Sequence, residues 1–301
     1  MALLNPGSEA FQPRQMTLSA DLSPITDVWV HNFREEVLRI SMLVDRYNVV
    51  AMDTEFPGIL YRLEGDCADS LYQTVRVNVN ATKLIQIGIS LADEDGCVPP
   101  GTNTWQFNLH FDTSVDCYSQ DSIDLLTRAG LHFSNHARYG IDPLVFAEMI
   151  MVSGLVLNER VKWVTFHGGF DFGYFLRTLT ARSLPDTEAT FLQDLRLYFP
   201  TFYDLKYFIR QEDRLKGSLS RLAEQLNVTR IGTAHQAGSD AIVTLACYFE
   251  LRRGYFEETV PDDYDCVLFG MGSGRTQWST SVVQEAWRPQ GHAQVEVSIS
   301  N

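Results

Sequence analysis

The chain has 301 residues, of which 45% are apolar and 12% aromatic, and its formal net charge is −14. This composition supplies a substantial core and excludes a globally disordered protein, while the length allows one large domain or two small ones. The acidic charge speaks against non-specific binding of duplex nucleic acid, because proteins that bind it in this way are normally basic.

Membrane and secretory signals are not visible in the sequence. The longest apolar run, residues 146–157, contains Glu148 and Ser153 and is shorter than the roughly 18 residues of a membrane span. The N-terminus lacks the charged and apolar segments of a signal peptide. Five scattered cysteines without a C-x-x-C pair predict free thiols in a reducing compartment. We therefore expect no membrane partner and a cytoplasmic location, with the nucleus as an alternative.

The first half of the chain predicts a helix followed by a sheet. Residues 1–22 are polar and predict a flexible segment before a domain spanning 23–270. Apolar residues at helical spacing predict a helix within 25–47. Three strand-like runs follow, at residues 49–54, 84–91 and 105–111. Short, turn-rich connections between these runs favour an antiparallel meander.

The second half predicts mostly helices and strand–helix pairs. The predicted elements are a helix over 122–129 capped by Asp121, a helix over 143–153 capped by Asp142, a strand at 162–166, a helix containing Asp171, a helix over 190–199, an extended piece near Phe202, helices after Asp204 and Ser218, and a long helix over 239–253. This order predicts an α/β fold with a mixed β-sheet flanked by helices on both faces. The polar sequence of residues 271–301 predicts a flexible tail.

Two acids, Asp53 and Glu55, end the first strand-like run. Their i, i+2 spacing places both side chains on one face of a strand. Two like charges repel each other there, and a divalent cation held by hard oxygen ligands would reverse that interaction. Such a triplet is common on solvated surfaces, so its interpretation depends on two further sites.

Those sites supply two more acids and a histidine. Asp171 lies in the first turns of a predicted helix, after a strand and a Gly-Gly turn, where an acid also serves as a cap or dipole partner. His235 precedes Asp240 by five residues, and on one helix this offset would point them about 140° apart. We therefore place His235 on a loop and Asp240 inside the helix, with both facing one cleft.

The order D-x-E, D, D with a histidine is the spacing of a DEDD exonuclease. Two ions roughly 3.5–4 Å apart activate a water and stabilise the leaving oxygen of a phosphodiester. We expect Asp53, Glu55 and Asp240 to hold the ion that activates water, and Asp53 with Asp171 to hold the other. His235 is the expected base, because the ordinary pKa of histidine is near neutral pH. This chemistry leaves the substrate open between RNAs of different kinds and DNA.

Two further residues are candidates for substrate binding. Phe56 follows Glu55, where an aromatic ring could stack on an adenine or pack into the core. Lys206 is the candidate phosphate contact. It belongs to the stretch 203–233, in which six basic and four acidic residues leave a charge of +2, against −16 for the rest of the chain. The acidic remainder predicts weak unaided affinity for RNA.

Seven motifs resemble those of one known family. They are 52–58 (MDTEFPG), 99–108 (PPGTNTWQFN), 120–126 (QDSIDLL), 166–174 (FHGGFDFGY), 203–207 (YDLKY), 222–226 (LAEQL) and 230–240 (RIGTAHQAGSD). With these motifs the chain resembles the Caf/Pop deadenylases, the carbon catabolite repressor associated factors of CCR–NOT complexes. The resemblance covers roughly residues 24–274 in the family's order.

The resemblance implies a ribonuclease H-like fold and metal-dependent 3′-to-5′ removal of mRNA poly(A) tails with release of AMP. The family's four metal-binding acids fall on Asp53, Glu55, Asp171 and Asp240, and its histidine falls on His235. The implied cofactors are two divalent ions, Mg²⁺ or Mn²⁺.

The implied partners are the poly(A) 3′ end of mRNA, a large scaffold subunit and a second deadenylase of a CCR–NOT-type complex. Phe170 departs from the family pattern, in which tyrosine is usual, so the positioning role of one hydroxyl is in doubt. An adaptor that bridges the scaffold to regulators is the alternative to an enzyme, and the intact acid set argues against it as a sole role.

Overall fold

The computed structural model describes residues 24–63, 69–210 and 212–272. The strands are β1 (Ile25–Val28), β2 (Val49–Glu55), β3 (Gln86–Ala92), β4 (Thr104–Asn108), β5 (Lys162–Thr165) and β6 (Thr201–Asp204). The α-helices are α1 (Phe33–Leu43), α2 (Ser70–Ala81), α3 (Gln120–Arg128), α4 (Phe133–Tyr139), α5 (Pro143–Met151), α6 (Gly169–Thr180), α7 (Glu188–Tyr198), α8 (Leu205–Phe208), α9 (Leu219–Gln225) and α10 (Ala237–Tyr255). Two short 3-10 helices span Asp213–Leu215 and Asp262–Tyr264.

The six strands form one mixed sheet in the order β1-β4-β3-β2-β5-β6. β2, β3 and β4 are antiparallel neighbours, so the predicted meander is confirmed. β1 lies parallel to β4, β5 lies parallel to β2, and β6 lies parallel to β5. The central strand β2 thus carries the meander on one side and the strand–helix units on the other.

Helices cover both faces of the sheet, as the sequence predicted. Side chains alternate along a strand, so Val50 and Met52 of β2 enter the core formed with α1, α2, α5, α6 and α7. Val49 and Ala51 point the other way, into the core formed with α8, α9 and α10. The two faces of β2 therefore pack against different helices. The face on which an acid of β2 lies determines the helices toward which it points.

Two predictions near helix starts are wrong. The helix expected within 25–47 is split into β1 and α1, because Asn32 closes a turn between them: its side chain accepts from the Trp29 amide at 2.8 Å and donates to the Asp27 carbonyl at 3.0 Å. Asp121 does not cap the next predicted helix, since α3 begins at Gln120 and Asp121 lies in its first turn.

α2 was not predicted, because the connection between β2 and β3 was expected to be short. Its residues 75–80 alternate (VRVNVN), which is typical of a strand. In the structure Tyr72, Val75 and Val79 share a buried helical face. They pack near Gly173 of α6, where a Cβ would stand 3.0 Å from Val75 Cγ1. Tertiary packing thus overrides the local pattern.

Other helix signals are confirmed at their first residues. Asp142 accepts from the Leu144 amide at 2.8 Å, and Asp204 accepts from the Lys206 amide at 2.9 Å. Ser218 caps α9 in the same way. These polar caps satisfy amide groups that have no partner within the helix.

The ends of the chain were predicted to be flexible, at 1–22 and 271–301. Residues 1–23 and 273–301 lie outside the described residues. Of the residues assigned to the tail, Met271 is buried in the core and the Gly272 amide donates to Glu188 Oε1 at 3.1 Å. Within the described ranges, we find no helix with the length and apolar character that a membrane span needs.

Candidate active site

Asp53 and Glu55 extend the face of β2 that carries Val49 and Ala51, so both acids point toward α10. Gly88 of β3 lies opposite Asp53 in the strand register. A Cβ at Gly88 would stand 2.0 Å from the Ala237 carbonyl oxygen. A glycine is therefore required here for the start of α10 to approach the two acids.

The first turn of α10 is fixed to the sheet by side-chain amides. The Ala237 amide donates to Gln86 Oε1 at 2.9 Å, and the Gly238 amide donates to Gln106 Oε1 at 3.0 Å. These two glutamines act as caps from neighbouring strands. Asp240, in the same first turn, is 8% exposed and is thereby held at the end of β2.

Three carboxylates converge at this point. One oxygen from each of Asp53, Glu55 and Asp240 lies within 4.8 Å of the others. Asp171 approaches from α6, on the other face of the sheet, and its Oδ1 accepts from Thr54 Oγ1 at 2.6 Å. Thr54 lies between the two acids of β2 and points away from them, so it connects Asp171 to the end of the same strand.

The electrostatics of these acids show strong mutual repulsion. Burial raises the pKa of Asp53 and of Glu55 well above the usual values, and the charges of Asp240 and Asp171 raise both pKa values further. Burial also raises the pKa of Asp171 to about 7, although the hydrogen bond from Thr54 acts in the opposite direction. Hard oxygen donors that repel each other in this way fit a divalent cation, which would stabilise their charged forms.

His235 lies on the loop before α10 and Asp240 lies inside the helix, as predicted. The histidine has a left-handed backbone conformation, with φ of 63°. Its amide donates to Asp240 Oδ2 at 2.9 Å, and its imidazole is exposed in the cleft. The ring thus lines the same cleft as the acids, while the amide fixes the loop to Asp240.

The acids line a cleft of about 710 Å³. Three basic residues also line it: Lys206, Lys216 and Arg221. Lys206, the predicted phosphate contact, donates from Nζ to the Gly217 carbonyl at 2.7 Å. It therefore also stabilises the backbone around Gly217. The geometry allows a phosphate role for Lys206, which stays a prediction.

Phe56 lines the cleft but already has aromatic neighbours. Its ring stacks on Phe170 with centroids 5.1 Å apart and on Tyr174 with centroids 4.9 Å apart. The Tyr174 hydroxyl is 2.6 Å from Thr82 Oγ1. Phe56 therefore contributes to core packing, and the stacking of an adenine on it stays a prediction.

Sequence reasoning missed three residues that contact the site. Thr54 binds Asp171, and Arg230 Nη1 donates to Asp240 Oδ1 at 2.6 Å. His167 lines the cleft, its amide donates to the buried Asp204 at 2.7 Å, and it also has a left-handed φ, of 61°. All three lie inside the quoted motifs, but only contacts in space distinguish them from their neighbours.

Known proteins are similar to this chain over most of its length. The family model described as CAF1 family ribonuclease matches residues 28–144 and 144–249. The chain is 43% identical over 283 residues to the poly(A) ribonuclease pop2 of Schizosaccharomyces pombe. The aligned region covers 91% of this chain and 84% of that protein.

Solved structures of related proteins are also similar to this chain. The Mg²⁺- and Mn²⁺-bound form of S. pombe Pop2p has a TM-score of 0.80 and 44% identity, covering 83% of this chain and 100% of that one. A chain in the structure of the yeast NOT1 MIF4G domain co-crystallised with CAF1 has a TM-score of 0.72 and 32% identity, covering 86% of this chain and 99% of that one. These matches confirm the predicted ribonuclease H-like α/β fold. The chain belongs to the CAF1 family of ribonucleases.

Proposed function

We propose that the protein is a metal-dependent 3′-to-5′ exoribonuclease that shortens mRNA poly(A) tails and releases AMP. The observation that carries this proposal is the convergence of Asp53, Glu55 and Asp240 beside Asp171 in one cleft. The poly(A) substrate is supported by the name of the S. pombe relative, which is 43% identical.

Two divalent ions, Mg²⁺ or Mn²⁺, are the proposed cofactors. Asp53, Glu55 and Asp240 would hold one ion, and Asp53 with Asp171 would hold the other. When bound, such ions make water nucleophilic at neutral pH and neutralise charge on the leaving oxygen. The repulsion among the buried acids, and the metal-bound form of the S. pombe relative, support this assignment.

His235 is the proposed general base. Its imidazole is exposed in the cleft, within the loop that its own amide holds against Asp240. A neutral imidazole accepts a proton from the attacking water, and a positioned base of this kind contributes about 10²–10⁴ in rate. Asp240 thus has two tasks, since it binds metal and also positions the base.

The cleft has suitable chemistry for a short single-stranded 3′ end. Lys206, Lys216 and Arg221 supply positive charge for phosphates, and Phe56 supplies an aromatic surface for a base. The net charge of −14 makes the rest of the surface unfavourable for RNA. We therefore expect a partner protein to deliver the substrate.

A comparison of labelled substrates tests this function. With Mg²⁺ or Mn²⁺, oligoadenylate labelled at its 3′ end should release labelled AMP at once, whereas 5′-labelled substrate should shorten stepwise. Poly(U) and deoxyadenylate should react more slowly, the latter because it lacks the 2′-hydroxyl. Equal rates on deoxyadenylate would favour a DNA or general trimming nuclease, and full activity in chelator would refute the metal mechanism.

A large scaffold subunit is the proposed protein partner, since a yeast relative was co-crystallised with the NOT1 MIF4G domain. Exposed apolar side chains on α1 and around α5 suit such a contact: Leu38, Met42, Leu144, Val145 and Val152. A second deadenylase would join through the same assembly.

Charged substitutions test the scaffold surface. Met42 and Val152 are 77% and 81% exposed, so Met42→Glu and Val152→Glu should leave the fold and oligoadenylate hydrolysis intact. Both should weaken binding of an MIF4G-type domain in calorimetry. Wild-type affinity in both variants would exclude this surface.

The proposed location is the cytoplasm, with the nucleus as the alternative. The described cysteines Cys97, Cys117, Cys247 and Cys266 are free thiols, which suits a reducing compartment. Imaging of a tagged full chain would test the location.

A further inference from the structure

Arg230 reaches from the loop before α10 into the acid cluster. Its Nη1 donates to Asp240 Oδ1 at 2.6 Å and to Ser239 Oγ at 3.1 Å, and its Nη2 donates to Ser220 Oγ at 3.3 Å. The side chains of Arg230 and Asp240 are 21% and 12% exposed. A pair that is partly buried and bound to two hydroxyls is better ordered than an exposed surface ion pair.

Asp240 is held at both carboxylate oxygens. Oδ1 accepts from Arg230 and Oδ2 accepts from the His235 amide at 2.9 Å. Both donors belong to the loop 230–235, so the carboxylate fastens the two ends of this loop. Rotation of the carboxylate would break one of these bonds, and its orientation is therefore fixed.

Arg230 also places a positive charge among acids that would bind metal. Its charge acts on Asp53 as well, where it lowers a pKa that burial and three neighbouring acids raise. A fixed cation at this position has two opposite effects. It compensates the repelling carboxylates when no ion is bound, and it repels a divalent ion that approaches the same oxygens.

We propose that Arg230 is a positioning residue and an internal counter-cation: it orients Asp240, and its charge weakens the binding of divalent ions at the Asp53–Glu55–Asp240 site. This inference rests on the proposed function, in which these acids bind metal. With Arg230 present, the site binds divalent ions less tightly than the acids alone would. This weaker binding favours exchange of ions and release of product.

Calorimetry with Mn²⁺ on the full chain tests the proposal. Arg230→Gln should bind Mn²⁺ on the order of tenfold more tightly, because one repelling charge near the ion is removed. Arg230→Lys keeps the charge but not the planar fork, so its Mn²⁺ affinity should stay near that of the wild type while turnover of oligoadenylate falls.

Arg221→Gln is the matched control, since Arg221 is an exposed arginine of the same cleft that makes no ion pair with an acid in the described residues. Its Mn²⁺ affinity should equal that of the wild type. Arg230→Met, which keeps the apolar stem of the side chain, replaces the glutamine variant if that variant does not fold.

The possible results separate this inference from the function on which it rests. Unchanged or weaker Mn²⁺ binding by Arg230→Gln, or by Arg230→Met in its place, overturns the counter-cation role, because a purely structural residue would give that result. Tightening of the same size in Arg221→Gln also overturns it, since any cleft charge would then suffice. Failure of the wild-type protein to bind Mn²⁺ overturns the proposed function itself.

Discussion

Asp53 lies in one cluster with Glu55 and Asp240, and we assign it to both ion sites. Asp53→Ala should therefore abolish AMP release from oligoadenylate. The fold should persist, because removal of a buried acid whose pKa is raised by burial and by three other acids relieves repulsion. Chromatography of released AMP and thermal unfolding in chelator would measure both effects. Normal mRNA turnover in cells that carry this variant would instead favour the adaptor role.

His235 contacts Asp240 through its backbone amide, so its ring can be replaced without removing a metal ligand. His235→Ala should lower the rate by about 10²–10⁴ and leave Mn²⁺ affinity unchanged. His235→Asn is the matched variant, because asparagine tolerates the left-handed backbone better than alanine. Single-turnover kinetics should show similar losses for both. A wild-type rate in either variant would exclude His235 as the base.

At the residue scale, the sequence located the acids but not their contacts. The placement of Asp53 and Glu55 on one face follows from strand alternation, which is local. The partner of Thr54 is 117 residues away, and no sequence spacing indicates it. Arg230 was counted only as one of the basic residues in 203–233. Its contact with Asp240 depends on the shape of the irregular loop between them, which the sequence does not predict.

At the element scale, the approach of α10 to β3 decides whether the acids meet. Gly88→Ala would drive a Cβ into the Ala237 carbonyl. We expect a loss of about 1–3 kcal/mol in the free energy of unfolding, typical of overpacking, together with weaker Mn²⁺ binding. Denaturant titration and calorimetry would measure these changes.

Gly254→Ala is the control for this prediction, because a Cβ there meets nothing within 4 Å and the residue lies within α10. This change should raise the free energy of unfolding by about 0.5–1 kcal/mol through helix propensity. Equal effects of the two substitutions would show that close packing at Gly88 is unimportant.

The elements that the sequence predicted well carry strong local signals. α5 has Asp142 as its cap and Pro143 at its first position, and α10 is long and apolar. β1 has four residues and depends on β4 for its pairing, so it has no clear signal of its own. α2 carries an alternating sequence and forms through packing on α6. Local patterns thus predict elements with their own caps, and long-range packing determines the others.

At the scale of the whole molecule, the buried acids link stability to pH. Burial raises the pKa of Asp171 from 3.8 to about 7 in the folded protein. The folded state therefore binds a proton more strongly than the unfolded state. The resulting penalty is absent below the usual pKa, grows as the pH rises, and is complete above a pH of about 7.

The metal-free protein should therefore lose thermal stability between about pH 4 and about pH 7. Asp171→Asn should reduce this slope, and Mn²⁺ should restore stability at the higher pH because it binds the folded state. Thermal unfolding in chelator and with Mn²⁺ would measure both. A metal-free stability that rises over this interval would contradict the assignment.

The alternation of β2 also makes the enzyme sensitive to how its central strand is paired. Asp53 and Glu55 face α10, whereas Thr54 faces α6. A slip of one residue against β3 would turn both acids toward the wrong layer of helices and bring Thr54 into their place. A misaligned strand could keep its backbone ladder and yet have no catalytic centre. Specific activity thus reports the fraction of molecules in which β2 has the native register. A measurement of total helix content would not detect the misaligned molecules.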